Sequence, residues 1–152
     1  MSRLKELREF VEDQLKDIDD AKQASALEHL YGVSLAATIL AKKRGLDPEL
    51  AAMAGMLHDL YAYKVDSYDD HAHRGANLAF GVLSYLELTT PEETDIIYSA
   101  VYHHDDKLVT DSPMDELLKD ADVIDHCLKD TTKPVKEKEQ ARYEALCKEL
   151  GL

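Results

Sequence analysis

The stretch Ala51–Lys64, AAMAGMLHDLYAYK, decides the fold. Small and apolar residues from Ala51 to Leu57 run directly into His58–Asp59. An aromatic and basic segment follows, ending at Lys64. Adjacent helical residues point about 100° apart, so His58 and Asp59 do not both serve one core face. At a helix end the chain relaxes, and the two side chains reach one ion from different sides. Imidazole nitrogen with carboxylate oxygen suits Fe, Mn, Zn, Ni or Co. As a plain solvated helix end, Asp59 would sit beside the negative pole of the helix dipole, which is unfavourable without a cation. The pair therefore reads as metal-binding.

Outward from this stretch the periodicity is helical and strict alternation is absent. Leu4, Leu7, Val11, Leu15 and Ile18 form one apolar stripe, predicting a first helix over Leu4–Ile18. A second is expected from Ala21 to Arg44, stopped by Gly45. Asp47-Pro48 starts a third, which reaches His58–Asp59. Tyr61–Asp70 is expected to be a loop, and His71–Leu88 the fourth helix. Thr90-Pro91-Glu92-Glu93 is a capping box opening the fifth. Ser112-Pro113 starts the sixth, and Lys133-Pro134 the seventh. The expected fold is all-α: one helical bundle in which residues 1–20 pack as an N-terminal helix on a domain spanning 21–152. The first helix suits packing either on its own core or on a second subunit in a homodimer.

At 152 residues with 45% hydrophobic composition, a single folded domain is expected. Eighteen Lys and Arg against 31 Asp and Glu give a formal charge of −13. That argues against a broad electrostatic grip on nucleic acid or an anionic membrane. A small phosphate ligand stays compatible, because a bound cation inverts the local field. Cys127 and Cys147 show no CxxC spacing and read as reduced thiols. The N-terminal residues carry no apolar signal core, and no apolar run reads as long enough to cross a membrane. A soluble cytoplasmic protein is the expectation.

The other histidines and acids are candidate partners for His58–Asp59. His29 lies on the inward stripe of the second helix with Val33, Ala36, Ala37 and Leu40. A histidine there is commonly a hydrogen-bonded core residue, yet the alanines allow the close helix approach that suits a site between helices. His71 and His73 flank the start of the fourth helix, so at most one faces a given site. His103 and His104 end the fifth. Asp122 in KDADVID is semi-buried by pattern and needs a cation or strong donors. Asp125 is outward or supporting, and His126 reads as surface.

These residues resemble the HD-domain superfamily of metal-dependent phosphohydrolases. The resemblance rests on His29 in EHLYGVSLA, His58–Asp59 in AGMLHDL and Asp122 in KDADVID. His71, four residues before Gly75-Ala76, and His104 after Ala100-Val101, with His103 the near alternative, resemble the subset holding two metals. In pattern the chain is similar to bacterial dinuclear HD hydrolases of the diadenosine tetraphosphatase type. It departs from them at Ala62, where that subgroup has Lys, and at Asp105-Asp106-Lys107, which replaces a Thr-Gly turn.

The resemblance implies one or two divalent ions (Fe, Mn, Zn, Ni, Co or Mg). Asp59 would bridge them, with His29, His58 and Asp122 on one and His71 and His104 on the other. His58 and Asp59 would serve catalysis through a metal-activated water attacking phosphorus. Lys64 would assist, and Lys64, Arg74 and Lys107 would meet substrate phosphates. The implied partner is a small phosphorylated substrate, a nucleotide, rather than nucleic acid or membrane. The alternative is a sensor that holds metal and nucleotide with little turnover.

Overall fold

Several helices begin where the sequence supplies an acceptor for the unpaired N–H groups of the first turn. In the computed structural model, which describes residues 2–152, the order is α1 (Arg3–Leu15), α2 (Asp20–Arg44), α3 (Pro48–Leu57), α4 (Leu60–Val65), α5 (His71–Leu86), α6 (Pro91–His103) and α7 (Pro113–Leu128). A short 3-10 turn, Glu137–Glu139, leads into α8 (Gln140–Leu150). The Ser2 hydroxyl accepts from Lys5 N at 3.1 Å. Asp47 accepts from the amides of Glu49 and Leu50, with Pro48 at the first helical position. Thr90 accepts from Glu93 N. The Glu93 carboxylate, expected to close a capping box, instead pairs with Arg3 and helps tie α1 to α6. Gly45 ends α2 in the left-handed region (φ 72°).

The fold is all-α, with no strand among the described residues. The α1 stripe is used by the chain's own core: Leu7, Val11 and Leu15 are fully buried as α1 packs on α3 and α4. Each such side chain contributes about 1.5–3 kcal/mol. The longest helix, α2, packs along α3 and α7. Alongside, α5 packs on α6, and α6 on α3 and α7. Contrary to the sequence expectation, α2 is long and apolar enough to span a membrane by length and composition. Here it is a core helix, burying Leu30, Val33, Ala37 and Leu40.

One close approach sets the geometry of the site. A Cβ on Gly55 would lie 2.7 Å from Ser34 Cα and 2.9 Å from Ser34 N. Only glycine lets α3 come this near α2, where the Ser34 hydroxyl donates to Ala52 O at 2.9 Å.

Two segments differ from expectation. Leu60–Val65 is a helix, not the start of a loop, because Leu60 and Ala62 are buried and hold the turn against the core. Asp66, in the left-handed region, ends it (φ 54°). At the other end, Lys133-Pro134 does not open a helix. Asp130 accepts from Thr132 N at 3.1 Å, making a local turn, and the residue before a proline is disfavoured in helical backbone. The last helix starts only at Gln140.

Candidate metal centre

Four helices deliver ligands to one point. His29 comes from α2, His58 caps the C-terminus of α3, and Asp59 precedes α4. Asp122 comes from α7. His29 Nε2 lies 3.1 Å from His58 Nε2, 3.2 Å from Asp59 Oδ2 and 3.3 Å from Asp122 Oδ1. His58 Nε2 lies 3.3 Å from Asp59 Oδ2 and 3.5 Å from Asp122 Oδ1. Ligand atoms sharing one ion at about 2.1 Å are spaced about 3.0–3.4 Å apart in octahedral or tetrahedral arrangements. The observed spacing is that of a coordination shell.

A second constellation adjoins the first. Asp59 Oδ1 lies 3.4 Å from His71 Nε2 on α5 and 3.2 Å from His104 Nε2 at the end of α6. The two oxygens of Asp59 thus face two different sets of histidines, as a bridging carboxylate would.

Every histidine of the two sets is oriented through its other nitrogen. His58 Nδ1 donates to Gly55 O (2.7 Å), His71 Nδ1 to Tyr68 O (3.0 Å) and His104 Nδ1 to Val101 O (2.6 Å). His29 Nδ1 donates to the Asp125 carboxylate at 2.6 Å. These bonds fix the tautomer that leaves Nε2 free to ligate. Gly32 makes room for this support, since a Cβ there would lie 1.9 Å from Asp125 Oδ1.

The donor set also fits a cation. Asp122 Oδ1 is buried and has no hydrogen-bond partner, although its Oδ2 accepts from Lys107 Nζ at 2.8 Å. A buried carboxylate oxygen left this way is costly unless an ion meets it. The protonation pattern agrees. Burial opposes the charged form of His29, but the carboxylates of Asp122, Asp125 and Asp59 outweigh it and push its pKa up to about 11. His58, against burial, is pushed up to about 9 by Asp59 and Asp122. Burial would raise the carboxyls of Asp59 and Asp122. The His58 charge for Asp59, and the Lys107 ammonium for Asp122, hold both well below the usual range. Protons on imidazole stand where a metal's charge would.

The other expected site residues lie elsewhere. His103 Nδ1 donates to Ser99 O at 2.8 Å and sits 3.4 Å from Asp115, so of the adjacent pair His104 faces Asp59. His73 is exposed, pairs with Asp70 and stacks on Tyr102. Lys64 reaches out to Gln14, and the Arg74 guanidinium bonds Tyr61 at 3.2 Å; neither lines the central cavity. Lys107 does line it, but is buried and held by Asp122 and by His104 O. Its ammonium is therefore fixed as a counter-charge to Asp122. Lys64, Arg74 and His103 thus lie away from the central cavity, and Lys107 lies in its wall bonded to Asp122.

His126, read as surface, is exposed and also forms part of the cavity wall. Its ring stacks on His29 (5.2 Å, 7° between planes), and its two nitrogens face Asp122 Oδ1 (3.3 Å) and Glu139 (3.0 Å). The spacing of Asp122 and His126, four apart on α7, was the available signal. Glu139, 1% exposed, carried none.

Comparison with known proteins places this architecture. The HD domain family profile matches residues 26–130, which contain every residue of the two constellations. The chain belongs to the HD domain family. Among curated proteins it is similar to ribonuclease Y of Chlorobium luteolum and of Rhodopirellula baltica, each 31% identical over 98 residues. Ribonuclease Y of Chlorobium phaeovibrioides is 30% identical over the same length. Each alignment covers 64% of this chain but only 17% of the relative, so the chain matches a small part of those proteins. No solved structure matches.

Proposed function

We propose that the protein is a metal-dependent phosphohydrolase acting on a nucleotide or another small phosphate ester or anhydride. The observation that carries this reading is the shared carboxylate: Asp59 presents one oxygen to His29 and His58 and the other to His71 and His104. His29, His58, Asp59 and Asp122 would hold one divalent ion, and Asp59, His71 and His104 a second. Such ions supply a nucleophilic water at neutral pH and take charge from phosphoryl oxygens. The chain's own residues keep the histidines in the ligating tautomer, hold Asp122 ionised through Lys107, and enclose the site in a cavity of about 590 Å³. That size suits a small molecule.

The ribonuclease Y relatives raise RNA as the substrate. A net charge of −13 weighs against a long phosphodiester grip and favours a small one. The free thiols Cys127 and Cys147 are in keeping with a reducing compartment such as the cytoplasm.

The test is phosphate release from nucleotides, dinucleoside polyphosphates and simple phosphomonoesters with Mn, Fe, Co or Ni. Turnover that disappears in Asp59→Ala is expected. Silence across the panel from a metal-loaded protein would reject hydrolysis and favour a metal- and nucleotide-binding sensor.

A further inference from the structure

Positive charge is scarce in this chain, yet four lysines fall within ten residues, Lys129, Lys133, Lys136 and Lys138. All four line the cavity that contains the metal ligands. They occupy the connection between α7 and α8, which from Lys133 onward the sequence pattern predicted as helix. Two of them are spoken for: Lys129 pairs with Asp125 at 2.9 Å, and Lys138 faces Asp105 at 3.7 Å. Lys133 and Lys136 have no carboxylate within ion-pair distance among the described residues, and both are exposed to the cavity mouth.

The connection is held in place. Val135 packs against the core, and Glu139 is buried, bonded to His126 at 3.0 Å. Glu139 N also donates to Lys136 O at 2.9 Å. The Lys138–Asp105 contact ties it to the segment after α6. Pro134 further limits its backbone. Ammonium groups without an ion-pair partner, on a pinned segment beside the metal-ligand cluster, are available to an anion. The cations expected from sequence to meet phosphate do not serve here, since Lys64 and Arg74 point elsewhere and Lys107 is consumed by Asp122.

We propose that Lys133 and Lys136 form a subsite for a second phosphoryl group of the substrate, beyond the one held at the metal ligands. The site then selects a phosphoanhydride-bearing small molecule over a monophosphate. This rests on the phosphohydrolase reading and adds the substrate class to it. Two ammonium groups on one short segment suit the compact charge of adjoining phosphoryl groups.

The test uses the full chain loaded with Mn²⁺, with metal content measured before and after calorimetric titration of inorganic pyrophosphate and of orthophosphate. Wild type is expected to favour pyrophosphate by at least about tenfold. Lys133→Gln/Lys136→Gln is expected to bring the two ligands within about threefold while leaving orthophosphate affinity unchanged. A control, Lys42→Gln/Lys43→Gln, removes the same charge at the far end of α2 and should keep the wild-type preference. A preference that survives in the Lys133/Lys136 variant, or falls equally in the control, overturns the subsite while leaving the hydrolase reading intact. Tighter binding of a 5′-phosphorylated oligoribonucleotide than of pyrophosphate also overturns it, in favour of RNA. Failure to take up Mn²⁺ overturns the underlying reading and the subsite with it.

Discussion

The His29 half of the centre and the His71 half share Asp59 but are built differently. The first draws His29, His58 and Asp122 from α2, α3 and α7, and α2 packs closely on both of the others. The second adds only His71 and His104, from α5 and α6. A carboxylate, Asp125, supports His29, whereas backbone carbonyls alone support His71 and His104. The electrostatics differ in the same sense. His29 and His58 are pushed up to about 11 and 9; in the second half burial pushes His104 down, while Asp59, against burial, raises His71. The first half is built to hold positive charge with or without a metal. The second has fewer candidate ligands, His71 and His104 beside Asp59, and its two imidazoles are shifted in opposite directions. We propose that, of two ions, the more tightly held would sit in the first half, which offers four candidate ligands against three.

The largest effect should come from removing what the halves share. Asp59→Ala should abolish uptake at both and lower kcat/KM by more than the roughly 100-fold typical of lost supporting contacts. Elemental analysis and steady-state kinetics on the variant measure this. Single-half variants separate the two: His71→Ala should retain one tightly bound ion per chain, whereas His29→Ala should lose the tight class in a Mn²⁺ titration. Equal behaviour of the two variants would break the comparison.

A smaller change is expected from Asp125→Asn. The bond to His29 Nδ1 loses its charge, so affinity at the first half should fall by about 10-fold, with the second half unaffected. Smaller again, per unit, is the dependence on pH. The raised pKa values of His29 and His58 mean that their facing Nε2 atoms, 3.1 Å apart, share at least one proton at neutral pH in the metal-free protein. That proton must leave when the ion binds, so affinity at the first half rises with pH, by up to about tenfold per unit per proton, until the pair has titrated near pH 9–11. In the second half His104, pushed down by burial, brings no such proton, and only His71, raised by Asp59 against burial, brings one. Proton release measured during stepwise titration should be larger for the first ion than for the second.

Much of this was legible in the chain. The His58–Asp59 doublet could be read because a carboxylate at a helix C-terminus has no local justification. Asp122 could be read because it interrupts an apolar stretch. The prolines after Asp47, Thr90 and Ser112 marked helix starts that the structure places at Pro48, Pro91 and Pro113. What escaped depended on contacts distant in sequence. Lys107 looked like a free cation, but it is bonded to Asp122, 15 residues on. Leu60 and Ala62 turned an expected loop into α4 by burying themselves against the core. Glu139 and the lysines before it sat in what the pattern made a helix. A turn at Asp130–Thr132 redirects the chain over the cavity instead.

The central claim is that Asp59 joins two ions into one centre. Electron paramagnetic resonance of the protein loaded with two equivalents of Mn²⁺ tests it most directly. The account predicts an exchange-coupled multiline signal that collapses to an isolated-ion signal at one equivalent and in His71→Ala. Two equivalents bound tightly but giving only the isolated-ion spectrum would contradict it.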